Sequence, residues 1–208
     1  MRSSPSHIRT WSLWVLCLFL APSPRAQSDE TTDHRHHLGS SGFVAFGLAL
    51  DERPDFFQLN YGYRITSKDV VSAEAITWKW WEPLGIPYGP SKGDLEERYP
   101  GYVRAFGVGA AYQRFLWDGA YVAVHALPLL KRYVDESGDG IQNGFQLFTT
   151  LRAGYHLGLF QDRLFVEPSV AVTHWPIDTN KPAEFAERDD EWPNYFLFEP
   201  GLHVGVRF

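Results

Sequence analysis

His156 and Glu167 have the types and the spacing that could do chemistry together. Gln161 and Asp162 form a tight-turn signal between two alternating segments. Folding those segments back puts Phe160 beside Arg163 and, counting on, His156 opposite Glu167, with Arg152 one inward layer further from the turn. An imidazole within reach of a carboxylate can serve as a general acid–base dyad or as a pH-sensitive latch. The same pair also reads as a satisfied hydrogen bond in a polar interior, and that reading is favoured.

Other constellations are weaker. His34, His36 and His37 crowd together and could bind zinc or copper, since imidazole suits both ions. They fall in a polar segment over 27–41, expected to be a flexible periplasmic lead, where nothing fixes an outer shell. An acidic stretch holds Asp178, Glu184, Glu187, Asp189, Asp190 and Glu191 against Lys181 and Arg188. Its spacing matches no calcium loop, so it reads as a solvated loop. Cys17 is the only cysteine and lies in the N-terminal apolar segment, which leaves neither a disulfide nor a thiolate metal site after that segment. No cofactor is implied.

The elements that must position these residues are strands. From Tyr195 to Phe208 the chain alternates. Phe196, Phe198, Leu202, Val204, Val206 and Phe208 take one face; Glu199, Gly201, His203, Gly205 and Arg207 take the other. Seven earlier segments alternate in the same way, at about 42–50, 55–65, 70–80, 102–116, 120–133, 144–160 and 163–175. Tight links at 66–69, 117–119 and 161–162 alternate with long polar links at 81–101, 135–143 and 176–194; the link at 51–54 is the short member of the second set. Pro168 and Pro200 each follow a glutamate and predict bulges or bends.

The N-terminus adds a compartment. Arg2, His7 and Arg9 precede an apolar stretch from Trp11 to Leu20, and a small-residue segment runs to Ala26. This reads as a secretory signal over 1–26, too short for a spanning helix. Its removal takes Arg2, Arg9 and Arg25 and moves the net charge from −6 to −9, which argues against nucleic acid as a partner. No later apolar run approaches the length of a membrane helix, so a membrane form would have to be a closed barrel.

With alternating link lengths, eight strands and a terminal Phe208, residues 42–208 resemble the small eight-stranded bacterial outer-membrane β-barrels of the outer-membrane protein A and X type. The resemblance is architectural and carries no functional motif. It implies an all-β, antiparallel up-and-down transmembrane barrel in a Gram-negative envelope, with outer-membrane lipids and lipopolysaccharide as neighbours. It also implies that Phe208 serves as a signal to the barrel-insertion machinery. Trp78, Trp80, Trp81, Trp175, Trp192, Tyr195 and Phe196 would then form the outer aromatic belt, and Tyr63, Trp117, Phe160 and Phe208 the inner one.

The interior of such a barrel would hold Arg64, Arg152 and Arg207 against Glu74, Glu167 and Glu199. His156 and His203 would lie among them, with Gln58, Asn60, Ser72, Gln113, Gln146, Thr150, Ser169 and Thr173. His125 joins if the fifth strand follows a three-residue turn. Eight strands leave room only for side chains, so a charge-balanced plug is expected and not an open pore. The expected role is structural, or surface interaction through the long loops. Two alternatives remain. One is an outer-leaflet lipid-modifying enzyme of the lipid A deacylase type, which places a serine two residues after a histidine; here His125, His156 and His174 are followed by Leu127, Gly158 and Pro176, and no catalytic residue is assigned. The other is a soluble periplasmic ligand-binding barrel with its faces reversed.

Overall fold

Period-two alternation runs along the long strands, one parity buried and the other exposed, with local register shifts. The computed structural model describes residues 34–42, 55–85, 91 and 98–208, all within a compact unit over 33–208. The signal segment 1–26, the lead residues 27–33 and positions 43–50 of the expected first strand lie outside the described residues.

The strands are β1 (His36–Ser41), β2 (Phe56–Arg64), β3 (Asp69–Trp80), β4 (Tyr102–Trp117) and β5 (Ala120–Val134). They continue with β6 (Gly140–Tyr155), β7 (Leu157–Leu159), β8 (Leu164–Thr179) and β9 (Tyr195–Arg207), and a single described helix, α1 (Ala183–Asp189), lies between the last two. All pairings are antiparallel. The order is β6-β5-β4-β3-β2-β1-β9-β8, and β8 pairs back onto β6. The sheet therefore closes into an up-and-down ring. The short β7 extends β6 past His156 on the same partner, so the nine strands make eight walls.

One end of the ring carries tight turns. Asp118 and Gly119 both have positive φ, which fits the hairpin turn that matches strand twist. Phe160, Gln161 and Asp162 form a run of three residues at positive φ. The other end carries the long links and α1. We refer to these as the turn end and the loop end.

Four expectations are corrected. The lead over 27–41 is not wholly flexible: His36–Ser41 is a strand that joins β2 to β9 and closes the ring. Its six residues include only one large apolar side chain, Leu38, so hydrophobic alternation gave no signal. Trp78, Trp80 and Trp175 are buried on the inner face and not on an outer belt, because they share parity with Glu74 and Thr173 on their strands. Phe196 pairs with Thr173, an inner residue, while Glu199 pairs with Ala171. The extra residue at Leu197–Phe198 is a bulge that reverses parity there; Pro200 adjoins it, and Pro168 stays in regular register. Finally, β8 runs on to Thr179, so only the remainder of 176–194 is loop and helix.

Glycines on the inner face make room for large neighbours. A Cβ at Gly205 would meet the Phe165 ring and the Leu38 carbonyl at 2.4 Å, and one at Gly201 would meet the Arg152 guanidinium at 2.2 Å. The inner wall of β4 is smooth for the same reason, with Gly107, Gly109 and Ala111 in succession.

Candidate functional site

The ring interior is layered. Nearest the turn end, His156 bridges two carboxylates: Nδ1 lies 2.7 Å from Glu167 Oε1 and Nε2 lies 3.1 Å from Asp162 Oδ1. Arg207 donates to the other Asp162 oxygen, and Gln113 donates to Glu167 at 3.3 Å. Phe165 stacks on the imidazole at 5.4 Å and Phe115 meets it edge-on at 5.7 Å. The left-handed run at 160–162 turns the Asp162 carboxylate under the ring, where a turn residue would ordinarily face solvent. His37 lies on the inner face with its ring against Phe165.

One layer up, Arg152 donates to Ser169 Oγ at 2.8 Å and lies 3.6 Å from Glu199. Thr173 donates to Glu199 at 2.5 Å. Glu74 pairs with His125 Nδ1 at 3.0 Å. These two sit on β3 and β5, on either side of β4, and the small residues Gly109 and Ala111 let them meet across it. His203 shares the inner face opposite Glu167. Arg64 is placed apart from Glu74: its guanidinium donates to the Ser67 carbonyl at 2.8 Å and lies over the Phe115 ring at 4.9 Å. Charge pairing of this kind is what a buried ionic set requires, although His125 Nε2 and Arg152 Nε are buried without a hydrogen-bond partner.

Above the ionic layers the interior turns aromatic. Phe148 stacks parallel to Trp175 at 6.3 Å and meets Trp78 edge-on at 5.9 Å; Trp78 contacts Trp80 at 4.9 Å. At the mouth, α1 drops Phe185, fully buried, between Tyr99 at 4.7 Å and Tyr133 at 5.0 Å. Two links pin the helix, Lys181 to Asp189 at 3.0 Å and Tyr99 donating to Asp189, and Lys131 binds Asp178 below it. Burial, with the Asp189 carboxylate beside it, pushes the Tyr99 phenol well above its ordinary range, so it remains a donor.

The outer face is different. His36 and His37 are adjacent on β1 and point to opposite faces. His36 stacks on Phe208 at 5.7 Å with Nδ1 2.7 Å from the Tyr61 hydroxyl. The proposed His34, His36, His37 metal set is thereby split. Among the described residues no group of three such side chains is arranged to hold a metal ion. His174 faces outward, and its side chain contacts the Asn194 amide at 3.4 Å.

Sequence reading missed Asp162, Lys131, Asp178 and the Glu74–His125 pairing. Asp162 was assigned to a turn, and the last pair spans two strand neighbours. Lys131 could have been found, because it shares parity with His125 and Leu129 on β5. No family model, no curated protein and no solved structure matches this chain.

Proposed function

We propose that this closed sheet is a transmembrane β-barrel of the bacterial outer-membrane type, with a plugged interior and a surface-interaction role at its loop end. One observation carries the reading: the faces are sorted against water. Every wall exposes apolar residues outward, including Leu59, Val71, Val108, Val124, Leu151, Val170 and Leu202, while the arginines and glutamates of the ionic layers lie inside. A soluble monomer rarely leaves contiguous apolar surface beyond a few hundred Å². A hydrocarbon neighbour removes that cost, and among the described residues each wall of the ring has a hydrogen-bonded strand on both sides, as lipid requires.

Aromatic side chains support the same reading at both rims. Trp117, Phe160 and Phe208 are exposed at the turn end; Tyr195 and Phe198 are exposed toward the loop end. There Lys79 lies over the Trp81 and Tyr102 rings at 4.5 and 4.2 Å. Amphipathic rings and snorkelling lysines suit a membrane boundary. The interior voids at the ionic layers are about 110 and 40 Å³, which fits a plug and not a conducting path.

Fractionation of cells producing the full chain tests the reading. The protein is expected in the outer-membrane fraction after alkaline washing. Recovery in the soluble periplasm would overturn it.

A further inference from the structure

The inward tryptophans have no role in an ionic plug, and they do not lie on the lipid side. They line a cavity of about 450 Å³ at the loop end, between the ring wall and α1. We propose that this cavity is a binding site for a neutral saccharide, a pyranose ring seated on tryptophan and held by hydrogen bonds at its edge. The inference concerns the loop end alone and does not depend on a bilayer around the ring.

Three observations carry it. First, Trp78, Trp80, Trp175 and Trp192 line one cavity together with Phe148. Its volume falls within the ~300–1,000 Å³ of small-molecule clefts. The Trp78, Phe148 and Trp175 rings are ordered against one another, so the aromatic surface is pre-formed and little ordering cost remains for binding.

Second, the cavity has polar groups of both kinds. Asp178, Asp189 and Asp190 offer carboxylate oxygens, and Gln146 offers an amide. Tyr133 also lines the cavity. Tyr133 is 1% exposed, and its hydroxyl makes no hydrogen bond. A buried hydroxyl left unpaired is costly, and a ligand hydroxyl would supply its partner.

Third, charge is close to balanced: Lys131 and Lys181 face Asp178, Asp189 and Asp190 in the lining, so neither sign of ion is strongly favoured. Lys131 neutralises Asp178, and Lys181 lies 3.0 Å from Asp189 and 3.9 Å from Asp178. An aromatic cage could otherwise take a cationic ligand, but Lys131 already sits 5.1 Å over the Tyr133 ring and would repel it. The aspartates oppose an anion. A ligand with one apolar face, a rim of hydroxyls that donate and accept, and no net charge meets all three conditions. A pyranose has a C–H face and such a rim.

The test is a tryptophan-fluorescence titration of the purified full chain with the methyl glycosides of glucose, galactose, mannose and N-acetylglucosamine, and with maltose, lactose and cellobiose. Saturable binding of at least one is expected. Trp192→Ala, at the rim, should weaken it about tenfold, and Tyr133→Phe, which keeps the ring against Phe185, about three- to tenfold. Far-ultraviolet circular dichroism confirms the fold of each variant. No saturable response to any of these sugars from folded protein overturns the proposal. So does saturation by tetramethylammonium when no sugar saturates, or sugar binding that both variants leave unchanged. Fractionation to the periplasm would overturn the membrane reading and leave this titration interpretable.

Discussion

Replacing His156 by alanine is expected to destabilise the folded chain by about 3–5 kcal/mol, the range for breaking a buried ionic pair by removing one partner. The imidazole is buried and ties Glu167, itself nearly out of solvent, to Asp162. Without it Glu167 retains the longer Gln113 contact at 3.3 Å. The Phe165 and Phe115 rings also lose the surface they pack on. His156→Gln keeps a donor toward Glu167 and should cost less than half as much. Urea midpoints followed by tryptophan fluorescence measure both. A double-mutant cycle with Glu167→Gln should show coupling of about 0.5–3 kcal/mol. A loss below about 1 kcal/mol for His156→Ala would show that the bridge is not a structural element.

The second large effect lies on the outer face. Val108 is 70% exposed, on the outer face of β4 and well inside the strand. In water, Val108→Arg would be a surface change of about ±0.5 kcal/mol. In hydrocarbon it should cost about 2–4 kcal/mol, the range for an arginine at the bilayer midplane of a barrel. Stability is compared for protein refolded into phosphatidylcholine vesicles. Glu184→Arg, on the exposed face of α1, serves as the control and should change little. Equal, small effects at both positions would remove the lipid from the account.

The strand pattern was legible because β2 to β5 alternate without interruption. Each apolar residue from Phe57 to Tyr63 is matched by a polar or small neighbour, and the register follows. The His156–Glu167 contact was legible for a related reason: both residues lie close to a short turn, and counting outward from it accumulates little error. Contacts away from turns were not legible. Glu74 meets His125 only because β4 presents glycine and alanine between them, which requires knowing three strands at once. Phe196 was misassigned because a single bulge at Leu197–Phe198 shifts parity, and Pro200 signalled an irregularity nearby without fixing its position. The tryptophans were misassigned for a different reason. Their parity did place Trp78 and Trp80 with Glu74, but the usual home of tryptophan at membrane rims outweighed the alternation. Where residue type and parity disagree, parity has the stronger physical claim, since a strand cannot turn one side chain alone.

That disagreement is also informative. Aromatic rings belong on the lipid rims for one purpose and in a solvent-facing cavity for another. Here Trp117 is exposed at the turn end, where the proposed membrane reading needs it, and Trp78, Trp80 and Trp175 line the loop-end cavity. The ionic layers then act as a floor: they hold the ring closed beneath the cavity, and α1, pinned through Phe185 and Asp189, forms one wall of it.

The central claim is that lipid covers the outer face of the ring. Dilution of urea-unfolded protein into phosphatidylcholine vesicles, followed by electrophoresis with and without boiling, tests it most directly. The account predicts a compact, faster-migrating band in unboiled samples that collapses to the unfolded position on boiling and that requires the vesicles to form. A compact band that forms equally well in buffer without lipid, or no compact band with lipid, would contradict it.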